Sequence, residues 1–500
     1  MNLIDRLDEL KNQFTPAAAG RVQQLLDRLS HKKFNDTDSL VRYHEVLLFL
    51  RAYPRDAGIL RAVEKELRSF ASRVTALEEN DVDSSPLQHP EVSGIAGTSV
   101  IDTFSFYIVR WLLQHHAPEV EIYWEWFENE NRLAETWPRF MPLLEEDTFV
   151  EANIPYRDWL AAARQGRPEL AWLTEQFEKL PKPEKERAEL YDSQQLYVCW
   201  TPSFDASRTG MCLRSKETFY HRGPLIQRRD IDLRRELVQP VELQKLSTTE
   251  GEKALDMARA ASTIRYRELY GFTHGDPRYV YRVELGRGVE LFLMGLPAEK
   301  RLPLRAYHAA MIYKNGVPVG YFEGLSLFER MESGFNLYYT FRDGETAWLY
   351  ARTLNVMHRF AGVTAFSLDP YQIGHENEEG IESGAFWFYR KLGFRPTDKD
   401  VLKLTLKEEE KITREGYRTS AATLRKLAAS SMIFEFDTSR SGDWDRFQVR
   451  TIGLKAQRMK NVLALAHELA KAKRGPEEVR YLRLMQKDER LRSEIIKLGS

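Results

Sequence analysis

Between residues 240 and 406, apolar positions recur first every second residue, then every third or fourth, and back again, setting out an order of strands and helices. Val241-Glu-Leu-Gln-Lys-Leu246 alternates like a strand with one buried face. Behind it Ala254, Met257, Ala258, Ala261 and Ile264 keep helical spacing, and Ser247 with Glu250 (or Thr249 with Glu252) offers a capping box to start that helix. Tyr307–Tyr313 and Val317–Phe322 are apolar runs joined by Lys314-Asn315-Gly316. Asn-Gly between such runs predicts a hairpin, because both residues tolerate the φ > 0 of a type I′ turn. Phe335–Phe341 reads as the next strand. Ala347, Tyr350, Leu354, Met357 and Ala361 then step by three and four as a helix, and Val363–Leu368 is a strand closed by Asp369-Pro370. Ala385, Phe388, Tyr389 and Leu392 share one face of a short helix that stops at Gly393, and Val401–Leu406 alternates again as a strand. Tyr279–Glu284 and Val289–Met294, around Gly286-Arg-Gly288, predict an extra hairpin within 276–303. Insertions of this kind often shape an acceptor pocket.

Outside this region the pattern is helical. Leu3, Leu7, Leu10 and Phe14 share a face, and helical spacing continues to about Leu180 without a repeat of twenty to fifty residues. Pro181-Lys-Pro183-Glu-Lys-Glu-Arg187 has the composition of an exposed linker. The expected division is a helical domain 1–180, a linker 181–195, an α+β domain 196–412 and a helical extension 413–500. In the extension, Ile452, Met459, Leu463, Ala466 and Ala470 form a stripe. Trp111, Trp124, Trp126, Trp137, Trp159 and Trp172 crowd the first domain. Packing of a helical bundle is the leading account of them, and an aromatic ligand cage the alternative.

Composition narrows the function. Lys and Arg number 73 against 74 Asp and Glu, which gives no general attraction to nucleic acid. Two cysteines, Cys199 and Cys212, make neither a zinc site nor a disulfide framework and fit a reduced compartment. The first residues are acidic and amphipathic, unlike a signal peptide. The most apolar span, 99–113, is broken by Asp102 and Arg110 and is too short to cross a bilayer. A cytoplasmic protein without membrane, metal or nucleic acid is the expectation.

Ser383-Gly-Ala-Phe-Trp-Phe-Tyr-Arg-Lys-Leu-Gly-Phe394 resembles the late signature of the GNAT acyltransferase superfamily, Asn-x-x-Ala-x-x-x-Tyr-x-x-x-Gly-Phe. Ala385, Tyr389, Gly393 and Phe394 match in register, while Glu382 replaces the usual Asn. The element order from 240 to 406, roughly a third of the chain, resembles that family's core as well. The resemblance implies a mixed sheet in which Val363–Leu368 runs parallel to Phe335–Phe341 and splays beyond Gly344 to admit an acyl-pantetheine arm. It implies an N-acyltransferase that moves an acetyl or other acyl group from acyl-coenzyme A to an amine on a small molecule or peptide. Tyr389 would protonate the departing thiolate, with Glu323 or His308 as the base. The pyrophosphate would sit on Phe341, Arg342, Gly344, Glu345, Thr346 and Ala347. That loop departs from the family's Gln/Arg-x-x-Gly-x-Gly/Ala: Phe341 stands at the Gln/Arg position and Arg342 is one place off. Asp343 and Glu345 would repel an anion unless turned away, and an acidic cap for the helix is an equal account. The acidic loop His375–Glu379 is either a solvated turn or an attractor for a cationic acceptor. Two other classes stay open. One is an inactive GNAT-fold binding or assembly protein. The other is a transferase fed by a non-coenzyme acyl or aminoacyl carrier, although a near-neutral charge disfavours a tRNA donor.

Overall fold

The protein is described by a computed structural model covering residues 2–213, 217–302, 305–414, 416–447, 449–450, 452, 489, 492–493 and 495. Up to residue 192 the chain is mainly helical. Helix α1 (Thr37–Ala52) starts on Asp36, whose carboxylate accepts the Ser39 N–H. It is buried along most of its length because other N-terminal helices pack on one side and the large sheet on the other. Trp137 packs against Phe140, Tyr156 and Trp172, so these rings build core. The stretch expected to be a linker instead contains helix α2 (Glu184–Asp192). Lys185 pairs with Glu189 on its surface while Ala188 and Tyr191 are buried, so the charged composition described only its outer face. Strands β1 (Val100–Asp102), β2 (Val120–Ile122) and β3 (Val198–Trp200) form a small sheet in the order β1-β3-β2. Residues 198–200 therefore pair with the N-terminal part and do not lead the next domain.

Nine further strands make one mixed sheet. They are β4 (Leu243–Lys245), β5 (Val280–Gly286), β6 (Val289–Met294), β7 (Ala306–Lys314), β8 (Val317–Leu327), β9 (Arg330–Leu337), β10 (Ala365–Leu368), β11 (Arg395–Pro396) and β12 (Met432–Glu435). Their order is β11-β12-β10-β9-β8-β7-β6-β5-β4. Only β9 and β10 run parallel among the described pairs. Asn315 (φ 48°) and Gly316 (φ 80°) supply the two left-handed residues of the β7–β8 turn. The extra hairpin β5–β6 lies inside the sheet between β4 and β7, so it widens the sheet and does not line the cleft described below.

Helix α3 (Thr248–Thr263) covers one face. Its capping box is formed by Ser247, which accepts the Glu250 N–H, and Glu250, which accepts the Ser247 N–H. Helix α4 (Thr346–Ala361) covers the other face and ends on Gly362 at φ 71°. Two expectations fail at the far edge. Val401–Leu406 is not a strand but part of helix α7, Lys399–Ile412, numbered after the short helices α5 (Glu378–Glu382) and α6 (Ala385–Arg390). Asp398 caps α7 by accepting the N–H groups of Asp400 and Val401, and the Lys- and Glu-rich run that follows extends it. The strand position beside β10 goes to β12, from the segment expected to be wholly helical. Of the stripe starting at Ile452, only that residue lies among the described ones, and it is buried. No described helix is long and apolar enough to cross a membrane.

Candidate functional site

The parallel pairing of β9 and β10 lasts three residues, Arg330 to Glu332 against Ala365 to Ser367. Beyond that β9 continues to Leu337, while Asp369 turns the other chain away by accepting the Tyr371 N–H. Where the ladder stops, the Gln372 amide donates to the Phe335 carbonyl (3.2 Å) and to the Tyr389 hydroxyl (3.3 Å). The separation opens a cleft of about 360 Å³. Phe335, Phe388 and Tyr389 line its interior, and Arg267, Asn336, Arg342 and Thr346 stand at its rim.

Tyr389 is carried by α6, the helix of the Gly-Phe signature, and is only 4 % exposed. Its ring packs edge-on against Tyr350 (5.4 Å) and Phe388 (5.1 Å). Burial pushes its hydroxyl up to about 12, against the pull of the Gln372 hydrogen bond. The phenol therefore keeps its proton at neutral pH. Gln372 donates to that oxygen, and Tyr389 lines the cleft.

The expected pyrophosphate loop divides in two. Arg342 and Thr346 line the cleft, whereas Phe341, Glu345 and Ala347 are buried away from it. A Cβ on Gly344 would stand 2.6 Å from Tyr53 Cζ, so this glycine makes room for a tyrosine at the end of α1. Both acidic residues are turned away and paired. Asp343 meets Lys11 at 2.9 Å, while Glu345 accepts from Ile226 N–H and Arg287 and lies 3.5 Å from the buried Lys314 ammonium. No side chain caps the start of α4, so its free N–H groups and partial positive charge reach the cleft beside Thr346. The acidic loop is largely neutralised too: Glu379 pairs with Arg342 and Glu378 with Arg425.

Neither candidate base lines the cleft. His308 is sealed between the sheet and α4, hydrogen-bonded to Ser326 (2.9 Å), and burial lowers its imidazole to about 4. Strand alternation puts it on the face opposite Tyr321 and Glu323. Glu323 is partly exposed, but its carboxylate accepts the Tyr307 hydroxyl. Sequence reasoning missed Gln372, Arg267, Tyr321 and Asn336. Gln372 follows the Asp369-Pro370 strand stop, a recognisable turn signal, while the other three carry no local motif. Away from the cleft, His115, Glu252 and Asp256 bring their ligand atoms within 4.8 Å of one another. Asp256 there also accepts the Trp111 indole N–H and Glu252 pairs with Arg259, which accounts for the cluster as surface ion pairing.

Comparison with protein families, with curated proteins and with solved structures finds no match to this chain.

Proposed function

We propose that the protein is a GNAT-type N-acyltransferase that takes an acetyl or other acyl group from acyl-coenzyme A and passes it to an amine of a small molecule or peptide. The observation that carries this reading is the parallel β9–β10 pair, which parts after three residues to open a cleft with a protonated Tyr389 inside it. The amine nitrogen attacks the thioester carbonyl, the carbon–sulfur bond breaks and the sulfur takes the Tyr389 proton; the amine loses a proton to solvent, and solvent returns one to the Tyr389 oxygen. A protonated phenol suits that task, because the sulfur departs more readily as a thiol than as a bare thiolate. Thr346 and the open start of α4 are the groups suited to a pyrophosphate, with Arg342 beside them held by Glu379, and the pairing of Asp343 and Glu345 removes the repulsion their charges would cause.

Thermal unfolding with acetyl- and longer acyl-coenzyme A tests the reading. A donor at one hundred times its dissociation constant stabilises the fold by about 2.7 kcal/mol, and free thiol is expected to appear only when an amine is added. One observation favours a second reading. Tyr53 fills the side of Gly344 that a closely held pyrophosphate would need. If no acyl-coenzyme A shifts the melting temperature, a non-catalytic binding or assembly role, or a different acyl carrier, takes precedence.

A further inference from the structure

The cleft has two sides, because alternation along β9 sends Phe335 and Asn336 to opposite faces of the sheet. Phe335 meets Tyr350 of α4, so the α4 side holds Tyr389, Phe388 and Thr346. The other side, beneath the end of α3, presents Arg267 and Asn336. A donor with its reacting carbon at Tyr389 and its arm along Thr346 fills the first side. The nucleophile then meets the second.

That second side is built around one hydroxyl. Tyr321, 6 % exposed, accepts hydrogen bonds from Arg267 Nη1 (3.0 Å) and from Asn336 Nδ2 (3.2 Å). A single buried oxygen thus fixes two rim side chains from different elements, within about 6 Å of each other. Each retains an unused function. Among the described residues no carboxylate pairs with the Arg267 guanidinium, and no donor reaches Asn336 Oδ1. The neighbouring Glu268 is occupied with the Ser105 N–H at 2.8 Å. Arg342, across the rim, is already paired with Glu379 and bonded to the Leu337 carbonyl. Among the described residues the cleft therefore offers one held cation without a counter-ion, beside one free amide oxygen.

We propose that Arg267, Asn336 and Tyr321 form an acceptor subsite that selects a small amino-carboxylate, in which one to three carbons separate the amine from the carboxylate. Arg267 pairs with the carboxylate through its planar fork, and Asn336 Oδ1 accepts an amine N–H. Tyr321 is the positioning residue that holds both in place. The assignment rests on the reading of the cleft as an acyl-transfer site, but the binding it describes can be measured without a donor.

The test uses the full-length protein with glycine, β-alanine and γ-aminobutyrate, against glycinamide and ethylamine. Binding is followed by thermal shift, and transfer by thiol release from acetyl-coenzyme A. The carboxylate-bearing amines are expected to bind and react at least about 10-fold better than the other two. Arg267→Ala is expected to raise their KM about 10- to 100-fold with acetyl-coenzyme A affinity unchanged, as loss of a charge-assisted contact does. Arg267→Lys restores part of the loss, and Tyr321→Phe raises KM more than it lowers kcat. Equal response to carboxylates and amides, no effect of Arg267→Ala, or a loss confined to donor affinity overturns the subsite. If amino-carboxylates bind through Arg267 but no thiol is released, the subsite stands and acyl transfer fails. If ethylamine releases thiol as readily as glycine, acyl transfer stands and the subsite fails.

Discussion

Replacing Tyr389 by Phe separates chemistry from packing at the centre of the cleft. The change removes one oxygen and keeps the ring that meets Tyr350, Phe388 and Phe394. The hydroxyl accepts a single long hydrogen bond from Gln372, at 3.3 Å. A neutral bond of that kind contributes about 0.5–1.5 kcal/mol, and the loss falls at the low end because Gln372 still donates to the Phe335 carbonyl. A melting temperature lower by about 2 °C or less is expected for a chain of this size. Loss of the acid from the transition state costs far more: a fall in turnover of about 10²–10⁴-fold corresponds to roughly 3–5 kcal/mol of barrier. Thiol release from acetyl-coenzyme A with a reactive amine measures the second, and a thermal melt of the same variant the first. Because burial holds the hydroxyl near 12, the wild-type rate should show no loss of this acid through pH 10. An unchanged rate in the variant would sink the catalytic role, and a wild-type rate that collapses around pH 10 would contradict the protonated phenol. A melting temperature lowered by many degrees would refute the packing argument.

Two further outcomes follow from the contact between α1 and the sheet. Gly344→Ala drives a Cβ into Tyr53 and should cost about 1–3 kcal/mol of stability, read as a lower urea midpoint; an unaltered midpoint would show that Tyr53 moves freely. Lys314 is fully buried, and burial lowers its ammonium to about 7 from 10.5, against the pull of Glu345. The unfolded chain then binds more protons than the folded one between these values, so this group makes stability rise with pH from about 7 towards 10. Lys314→Met should abolish that part of the rise, and urea midpoints that climb equally in both proteins would refute the assignment.

Features that local chemistry dictates were legible in the sequence alone. Ser247 and Glu250 cap α3 because their side chains reach backbone N–H groups three residues away. Asn315 and Gly316 turn the β7–β8 hairpin because they tolerate positive φ, and Gly393 ends its helical segment at φ 102° for the same reason. The order of elements from β4 to α6 was legible in the changes of period, although the strand expected at Phe335–Phe341 is β9, Arg330–Leu337, and Tyr339–Phe341 form a short 3-10 turn instead. The rest depends on partners far along the chain and so emerges only from the folded arrangement. The apolar alternation of Val401–Leu406 suits a strand, yet Asp398 caps a helix there, and Met432–Glu435 takes the place beside β10 by pairing with Ala365–Leu368. Gly344 reads as a ligand glycine until Tyr53, nearly three hundred residues earlier in the chain, is found against it. Glu323 sits on β8 beside the cleft strand and His308 on β7 one strand further away, and only the sheet register shows that they face opposite sides. The arrangement of Arg267 and Asn336 around Tyr321 has no signature, because a shared hydrogen-bond acceptor is a property of position in space and leaves no spacing in the sequence.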